Sequence, residues 1–378
     1  MKICFLSSMH PPRDKRVFDK EATCLAAAGF DVFHLCPGTP EEAGMASGVR
    51  IITYRRPAGI KGRLLQMFRL YRLAANVDAA VYHCNEVDSW LVGVCLRLLR
   101  GKGCVFDVHE HYPSTFAESR FHRRLQPAVA ASVRAVFRVL TPFTHRFVLA
   151  KRSVSADFHC AESKKLLVQN FTPLAGIQFA QGRAATDDDG WTTIVHLGLF
   201  SKPRGWPQVL DALARMRNQR VRLVVIGEIN DGSGDEFHAR LIALGLTGRV
   251  VVHKWMPFDA AFALLCQAQI GLIAFQPGTL NHVYAMPHKM FDYMAAGLAV
   301  VCPNFAVEVA PVVAESHCGL LVNPADRDAL AQVFDRLVDD PASTAEMGRR
   351  GQLAVRERYN WETEVAPLVT MYQNWKMA

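Results

Sequence analysis

Three polar residues open a short helical pattern late in the chain: His288, Lys289 and Asp292, in the run Pro287-His288-Lys289-Met290-Phe291-Asp292-Tyr293-Met294-Ala295-Ala296-Gly297. Pro287 suits the first position of a helix and Gly297 stops it, so Asp292 stands one turn beyond His288 and Lys289. A lysine in that first turn opposes the helix dipole. It becomes favourable if an anion occupies the free N–H groups, because ammonium and amides then hold one phosphate together. Asp292 cannot hold phosphate, but it can accept hydrogen bonds from ribose hydroxyls. The plainer alternative is a surface Lys–Asp pair. A second run, His196-Leu197-Gly198-Leu199-Phe200-Ser201-Lys202-Pro203-Arg204-Gly205-Trp206-Pro207, reads as strand, loop and helix start. Gly198 lets a ligand approach the backbone, while Lys202 and Arg204 offer cations suited to a diphosphate. Neither run has the spacing of a dinucleotide fingerprint or a P-loop.

The first half offers polar residues at three strand ends. Met9-His10-Pro11-Pro12-Arg13-Asp14 follows the first strand, Cys84-Asn85-Glu86 the next, and Asp107-Val108-His109-Glu110 a third. His109 could hydrogen-bond a sugar, with Asp107 orienting its ring. A lone histidine is more often structural, but three polar loops at successive strand ends point to a shared cleft. No G-x-S-x-G elbow is present. The Asp187-Asp188-Asp189 run falls in a polar linker rather than after a buried strand, and Asp326-Arg327-Asp328 looks like a helix cap, so no metal site is expected.

The elements that must position these residues are legible as two α/β series. Strands are expected at 3–7, 31–36, 79–84, 104–108 and 146–150, with helices at 17–28 and 90–99 between them. A polar stretch over 172–190 interrupts the alternation. It restarts with strands at 192–197, 222–226, 250–253, 270–275 and 299–302, and with helices at 207–216, 237–244, 259–267 and 288–296. The segments 325–339 and 361–375 read as mostly helical. Such alternation implies parallel sheets covered on both faces. Ligands in such folds bind outside the C-terminal ends of strands.

The 378 residues are 50% hydrophobic and 21% charged, enough apolar material for two cores and against a disordered chain. No apolar run approaches the length of a membrane span, and no signal peptide is evident. Ten cysteines lack any C-x-x-C pair, which fits reduced core thiols in a cytoplasmic protein. The net charge of +8 is uneven: residues 1–180 carry +11 and the remainder −3. No acid lies between Glu42 and Asp78 or between Glu118 and Asp157, intervals in which arginines accumulate with Leu64, Phe68 and Tyr71, then Val133, Phe137 and Leu140, at helical spacing. Such basic amphipathic segments fit an anionic membrane surface better than nucleic acid. The plainer reading is a solvated face over ordinary core.

The run Pro287 to Val301, the loop with Arg13, Asp14 and Arg16-Val17-Phe18 ahead of Lys20-Glu21-Ala22, the Asp107-x-His109-Glu110 run and Asn170-Phe171 together resemble family 4 glycosyltransferases, in particular those of bacterial polysaccharide assembly. Leu223-Val224-Val225-Ile226-Gly227 and Cys318-Gly319-Leu320-Leu321-Val322-Asn323-Pro324 are similar to recurring pieces of the family's donor domain. The resemblance implies a GT-B fold, two facing Rossmann-like domains with parallel sheets and an interdomain cleft. Residues 1–175 would form the acceptor domain and 190–358 the nucleotide-sugar domain, with 359–378 a helix crossing back to the first. It further implies transfer with retention from a nucleotide-diphosphate sugar, with no metal or other cofactor. The acceptor would be a glycan, or a lipid-linked glycan met at the inner face of the cytoplasmic membrane.

By the same resemblance, His109, Arg204 and Lys289 are the catalytic candidates. Gly198, Lys202, Gly227, Tyr284, His288 and Asp292 join Arg204 and Lys289 on the donor side. His10, Arg13, Asp14, Asn85, Asp107 and Glu110 stand on the acceptor side. Tyr284 departs from the family pattern, standing eight residues before Asp292 where its E-x7-E motif has a first glutamate. The competing expectations are an enzyme such as a nucleotide-sugar epimerase on the same fold, or a non-catalytic binding module.

Overall fold

A computed structural model describes residues 1–56, 59–177, 179 and 190–375. The chain divides into two units: Met1–Asn170 with Trp361–Ala378, and Phe171–Asn360. The first unit closes at Asn170 rather than at 175. Phe171 packs on Phe291 and Tyr359 of the second unit, at ring-centroid distances of 4.7 and 5.4 Å.

In the first unit the strands are β1 (Lys2–Leu6), β2 (Asp31–Pro37), β3 (Gly44–Ala46), β4 (Val49–Tyr54), β5 (Val81–Cys84), β6 (Gly103–Val108), β7 (Arg146–Leu149) and β8 (Lys165–Leu167). They form one sheet in the order β3-β4-β2-β1-β5-β6-β7-β8. Every pairing is parallel except β3 with β4. The central strands are apolar on both faces because helices cover both. Phe5, Val81 and Val105 sit in one core layer, and Cys4, Tyr82 and Phe106 in the other. The helix expected at 17–28 opens with a π-helical turn, Val17–Ala22, before Thr23–Ala27. The basic segments are helices Gly59–Val77 and Gln126–Leu140. Phe137 and Leu140 belong to the core, whereas Leu64, Leu65 and Phe68 are 58%, 72% and 74% exposed.

The second unit carries β9 (Thr192–Leu197), β10 (Val221–Ile226), β11 (Val250–His253), β12 (Ile270–Leu272), β13 (Ala299–Pro303) and β14 (Gly319–Val322). These form an all-parallel sheet in the order β11-β10-β9-β12-β13-β14. The strand expected to reach 275 ends at Leu272. Asp326 caps the Arg327–Asp339 helix as its sequence indicated, accepting from the Asp328 and Ala329 N–H groups. A further helix, Pro341–Glu357, follows. Residues 180–189, with the triple aspartate, lie outside the described residues.

Strand order reverses beside β1 in the first sheet and beside β9 in the second. Such a reversal, beyond the strands' C-terminal ends, is where ligands bind in open α/β sheets. The polar loops of the sequence follow those strands.

Candidate functional site

In the second unit, β9 runs into Gly198, whose φ is +89°, and β10 into Gly227. The two turns touch: a Cβ added to Gly227 would lie 2.3 Å from the Gly198 carbonyl oxygen. Further along, Lys202–Arg204 makes one 3-10 turn, and Gly205, at φ +88°, starts the helix Trp206–Arg215. This brings Arg204 Cζ to 5.8 Å from the Phe275 ring centroid, the same distance at which Lys289 Nζ stands from it. Lys289 lies in the first turn of His288–Ala295, a helix whose N-cap, Pro287, supplies no side-chain cap. Two cations and uncapped amides thus gather beside the Gly198 turn, an arrangement that attracts a polyanion.

Lys289 is 8% exposed. Burial drives its ammonium well below the usual lysine range, Arg204 adds repulsion, and Asp292 only partly offsets both. Its other neighbour is His196, wholly buried, with Nε2 3.2 Å from Lys289 Nζ and 3.0 Å from the Leu199 carbonyl oxygen. Burial first, and Lys289 second, hold the His196 imidazole well below its ordinary pKa, so it stays neutral beside the lysine. Sequence reasoning passed over His196. Its position two residues before Gly198, near the end of β9, was the available signal.

The other donor-side candidates have contacts of their own. Lys202 turns to the surface and pairs with Glu236, because the helix Gly234–Ala243 presents that carboxylate to it. Asp292 is 1% exposed, and its Oδ1 accepts a 2.6 Å hydrogen bond from the Thr172 hydroxyl, so it faces the protein rather than solvent. His288 and Tyr284 are half-buried, Tyr284 closing the short helix Leu280–Val283.

In the first unit, the loop after β1 folds over the ends of β5 and β6. Glu86 accepts from the backbone N–H groups of Ser8, Met9 and His10, pinning that loop. His10 Nδ1 lies 3.0 Å from Asp14 Oδ2, and His10 Nε2 3.1 Å from His109 Nδ1. His109 Nε2 bonds Asp107 Oδ2, the orienting contact its spacing indicated. Arg13 lays its guanidinium over the Phe18 ring at 4.6 Å, and Glu110 accepts from the Thr115 hydroxyl at 3.2 Å. Asn85 is not presented to a ligand. It is fully buried, and its amide donates to the Leu6 carbonyl and the Ser7 hydroxyl, which ties β5 to β1.

Beneath His109 lies a cluster that sequence reasoning missed. Arg16, 4% exposed, grips Asp107 with both ends of its fork at 2.8 and 3.1 Å. It also reaches Glu21 at 2.9 Å, the Val168 carbonyl and the Asn170 side chain. His83 Nε2 stands 3.3 Å from Glu21, and its Nδ1 2.6 Å from the Tyr372 hydroxyl. Burial pushes Asp107 upward, but Arg16 and His109 outweigh it and hold the carboxyl well below its usual range. Burial wins at Glu21, which is raised well above the usual range despite Arg16. Glu21, His83 and Asp107 bring three ligand-type atoms within 4.8 Å of one another. Arg16 hydrogen-bonds Asp107 and stands at ion-pair distance from Glu21, so a guanidinium balances the buried charge there.

Two comparisons by sequence and one by structure extend this picture. Residues 15–160 match the family described as Glycosyltransferase Family 4, and residues 192–340 match the one described as Glycosyl transferases group 1. A curated relative, the MMP alpha-(1->4)-mannosyltransferase of Mycolicibacterium hassiacum, is 28% identical over 172 residues. That stretch is 45% of this chain and spans only 40% of the relative. The structure of sucrose-phosphate synthase from Thermosynechococcus elongatus matches with a TM-score of 0.77 at 17% identity, over 99% of this chain and 98% of that one. HepE of Anabaena, solved with UDP, matches with a TM-score of 0.75 at 15% identity, over 99% and 100% of the two chains. The shared architecture is GT-B, with two α/β domains on parallel sheets.

Proposed function

The chain belongs to the family 4 glycosyltransferases, and from that premise we propose that it moves a sugar from a nucleotide-diphosphate donor, bound by the second unit, to a glycan acceptor bound by the first. The observation that carries the reading is the pairing of Arg204 and Lys289 around Phe275, beside the uncapped start of His288–Ala295. A buried lysine destabilised as an ammonium gains most from a diphosphate, which supplies the missing counter-charge.

As the bond from the anomeric carbon to the phosphate oxygen lengthens, negative charge grows on the departing diphosphate. Arg204, Lys289 and the helix amides stabilise it. The acceptor oxygen forms the new bond to the anomeric carbon, and its proton passes to the leaving phosphate oxygen. The donor corner presents cations and amides, and the buried Asp292 carboxylate accepts from the Thr172 hydroxyl. That supports attack on the face the leaving group vacates, with retention and without a covalent sugar intermediate or a required metal. The polar strand ends of the first unit, with His10, Arg13, Asp14, His109 and Glu110, are the acceptor side in this reading.

The acceptor we favour is a lipid-linked glycan of cell-surface polysaccharide assembly, met at an anionic membrane. Leu64, Leu65 and Phe68 stand exposed on a helix that also carries exposed Arg69 and Arg72. No helix among the described residues is long and apolar enough to cross a membrane. Arg134 is committed to Asp157 at 3.1 Å, so the surface charges that matter are Arg69 and Arg72, with Arg123 and Arg124.

The test is sugar transfer from UDP-, GDP- and ADP-sugars to a membrane-lipid extract, followed by product analysis. A glycosylated lipid with the donor's anomeric configuration is expected. Epimerised donor with no product, or donor binding without any turnover, would replace this reading with one of its rivals.

A further inference from the structure

The rings of His10 and His109 meet edge to face, with centroids 4.8 Å apart, and share the 3.1 Å contact between His10 Nε2 and His109 Nδ1. Each outer nitrogen is tied to a carboxylate, His10 Nδ1 to Asp14 and His109 Nε2 to Asp107. An ionised carboxylate can only accept, so both outer nitrogens carry protons. The contact between the rings needs a third proton, given by one nitrogen and received by the other. Four ring nitrogens therefore hold three protons, and the pair carries one positive charge.

We propose that His10 is a positioning residue for His109: it holds that charge at rest and fixes His109 as the neutral ring protonated at Nε2. The surroundings decide which ring is charged. His10 faces Asp14 from its own loop, Glu86 Oε1 at 3.8 Å from the start of the helix Val87–Arg100, and, through His109, Asp107 at the end of β6. Asp107, the carboxylate nearest His109, is already matched by the two-pronged Arg16 contact. Among the basic groups nearby, the exposed Arg56 guanidinium reaches the Met9 carbonyl oxygen at 3.4 Å, and His34 on β2 is buried and neutral, pushed down to about 4 by burial. At His10 burial also acts downward. The Asp14 hydrogen bond and the charges of Glu86, Asp14 and Asp107 outweigh it, raising the ring to about 9.

The consequence is that His109 has no unengaged ring nitrogen at rest and does not act as a base toward a ligand. What it can do is receive charge. The Nε2–H bond of His10 breaks, an N–H bond forms at Nδ1 of His109, and the positive charge passes to the second ring with no proton drawn from solvent. Resting on the acceptor-side reading above, that shift would meet negative charge as it develops in the site.

Histidine labelled with 15N reads the protonation state directly, with signals assigned through His10→Gln and His109→Gln. Near neutral pH both His10 nitrogens are expected in the imidazolium range, with His109 protonated at Nε2 and accepting at Nδ1. A neutral His10, or a His109 protonated at Nδ1 only, overturns the proposal. In transfer assays His10→Gln should lower kcat about tenfold, the difference between a charge-assisted and a neutral hydrogen bond, and leave the KM for nucleotide sugar unchanged. It should also abolish an alkaline limb near pH 9, and Asp14→Asn should move that limb to lower pH. Identical pH profiles in wild type and both variants would equally refute it. Absence of transfer in the wild type strikes the glycosyltransferase reading alone, and the ring-nitrogen signals then decide this one.

Discussion

At the residue scale, Lys289 and Arg204 are the pair on which the donor corner depends. In the proposed reaction each stabilises charge that grows only as the diphosphate departs, so Lys289→Ala and Arg204→Ala should each lower turnover by roughly 10²–10³, measured as sugar released or transferred at saturating donor. Lys289 adds a protonic signature. Burial has depressed its ammonium, and an arriving diphosphate raises it again, so binding takes up a proton in the pH range between the two values. Calorimetry in buffers of different ionisation heat should detect that uptake in wild type and lose it in Lys289→Met, with affinity falling as pH rises. These two cations were legible from residue type and place alone. Lys202 was not separable from Arg204, because only the packed structure shows Glu236 capturing it. Spacing put Asp292 near Lys289, whose charge it does feel; what spacing could not show is that tertiary packing buries the helix from Lys289 to Ala295 and brings the carboxylate to the Thr172 hydroxyl.

At the scale of elements, the strand–helix alternation carried most of the architecture, since buried parallel strands read as short β-branched or apolar runs between amphipathic helices. It was silent on the β3–β4 pair and on β8: β3 and β8 have three residues each, and the six of β4 place Arg50 and Thr53 among its apolar positions. The Arg16–Glu21–Asp107–His83 cluster was also hidden, because residues 16 and 107 meet only through strand order. One turn is decisive for the donor corner. Gly205 sits at φ +88°, and a Cβ there would come 2.2 Å from the Ala274 carbonyl oxygen. Gly205→Ala should therefore cost on the order of 1–3 kcal/mol. It should lower the unfolding temperature by about 2–4 °C per kcal/mol and displace Arg204, so that donor affinity falls along with stability.

At the scale of the whole molecule, charge and buried histidines set the response to solution conditions. The +11 carried by residues 1–180, with Leu64, Leu65 and Phe68 exposed, predicts binding to anionic vesicles that weakens as salt rises. Charge reversal at Arg69 and Arg72 should weaken it further in a sedimentation assay, and binding indifferent to salt would contradict it. His34 predicts the acid edge of stability. Its ring is held neutral down to about 4 in the fold against an ordinary value of 6.5, so between those values the unfolded chain binds a proton that the folded one refuses. The melting temperature should fall as pH drops through that window, less steeply in His34→Gln. The proposed transfer rests on one grip, that of Lys289 and Arg204 in the second unit on a diphosphate. Calorimetric titration of UDP, GDP and ADP into wild type and into the Lys289→Ala, Arg204→Ala double variant tests it most directly. Saturable binding of at least one nucleotide by wild type, and its loss in the double variant, is expected. Binding unaffected by the two substitutions, or no binding of any of the three, would contradict it.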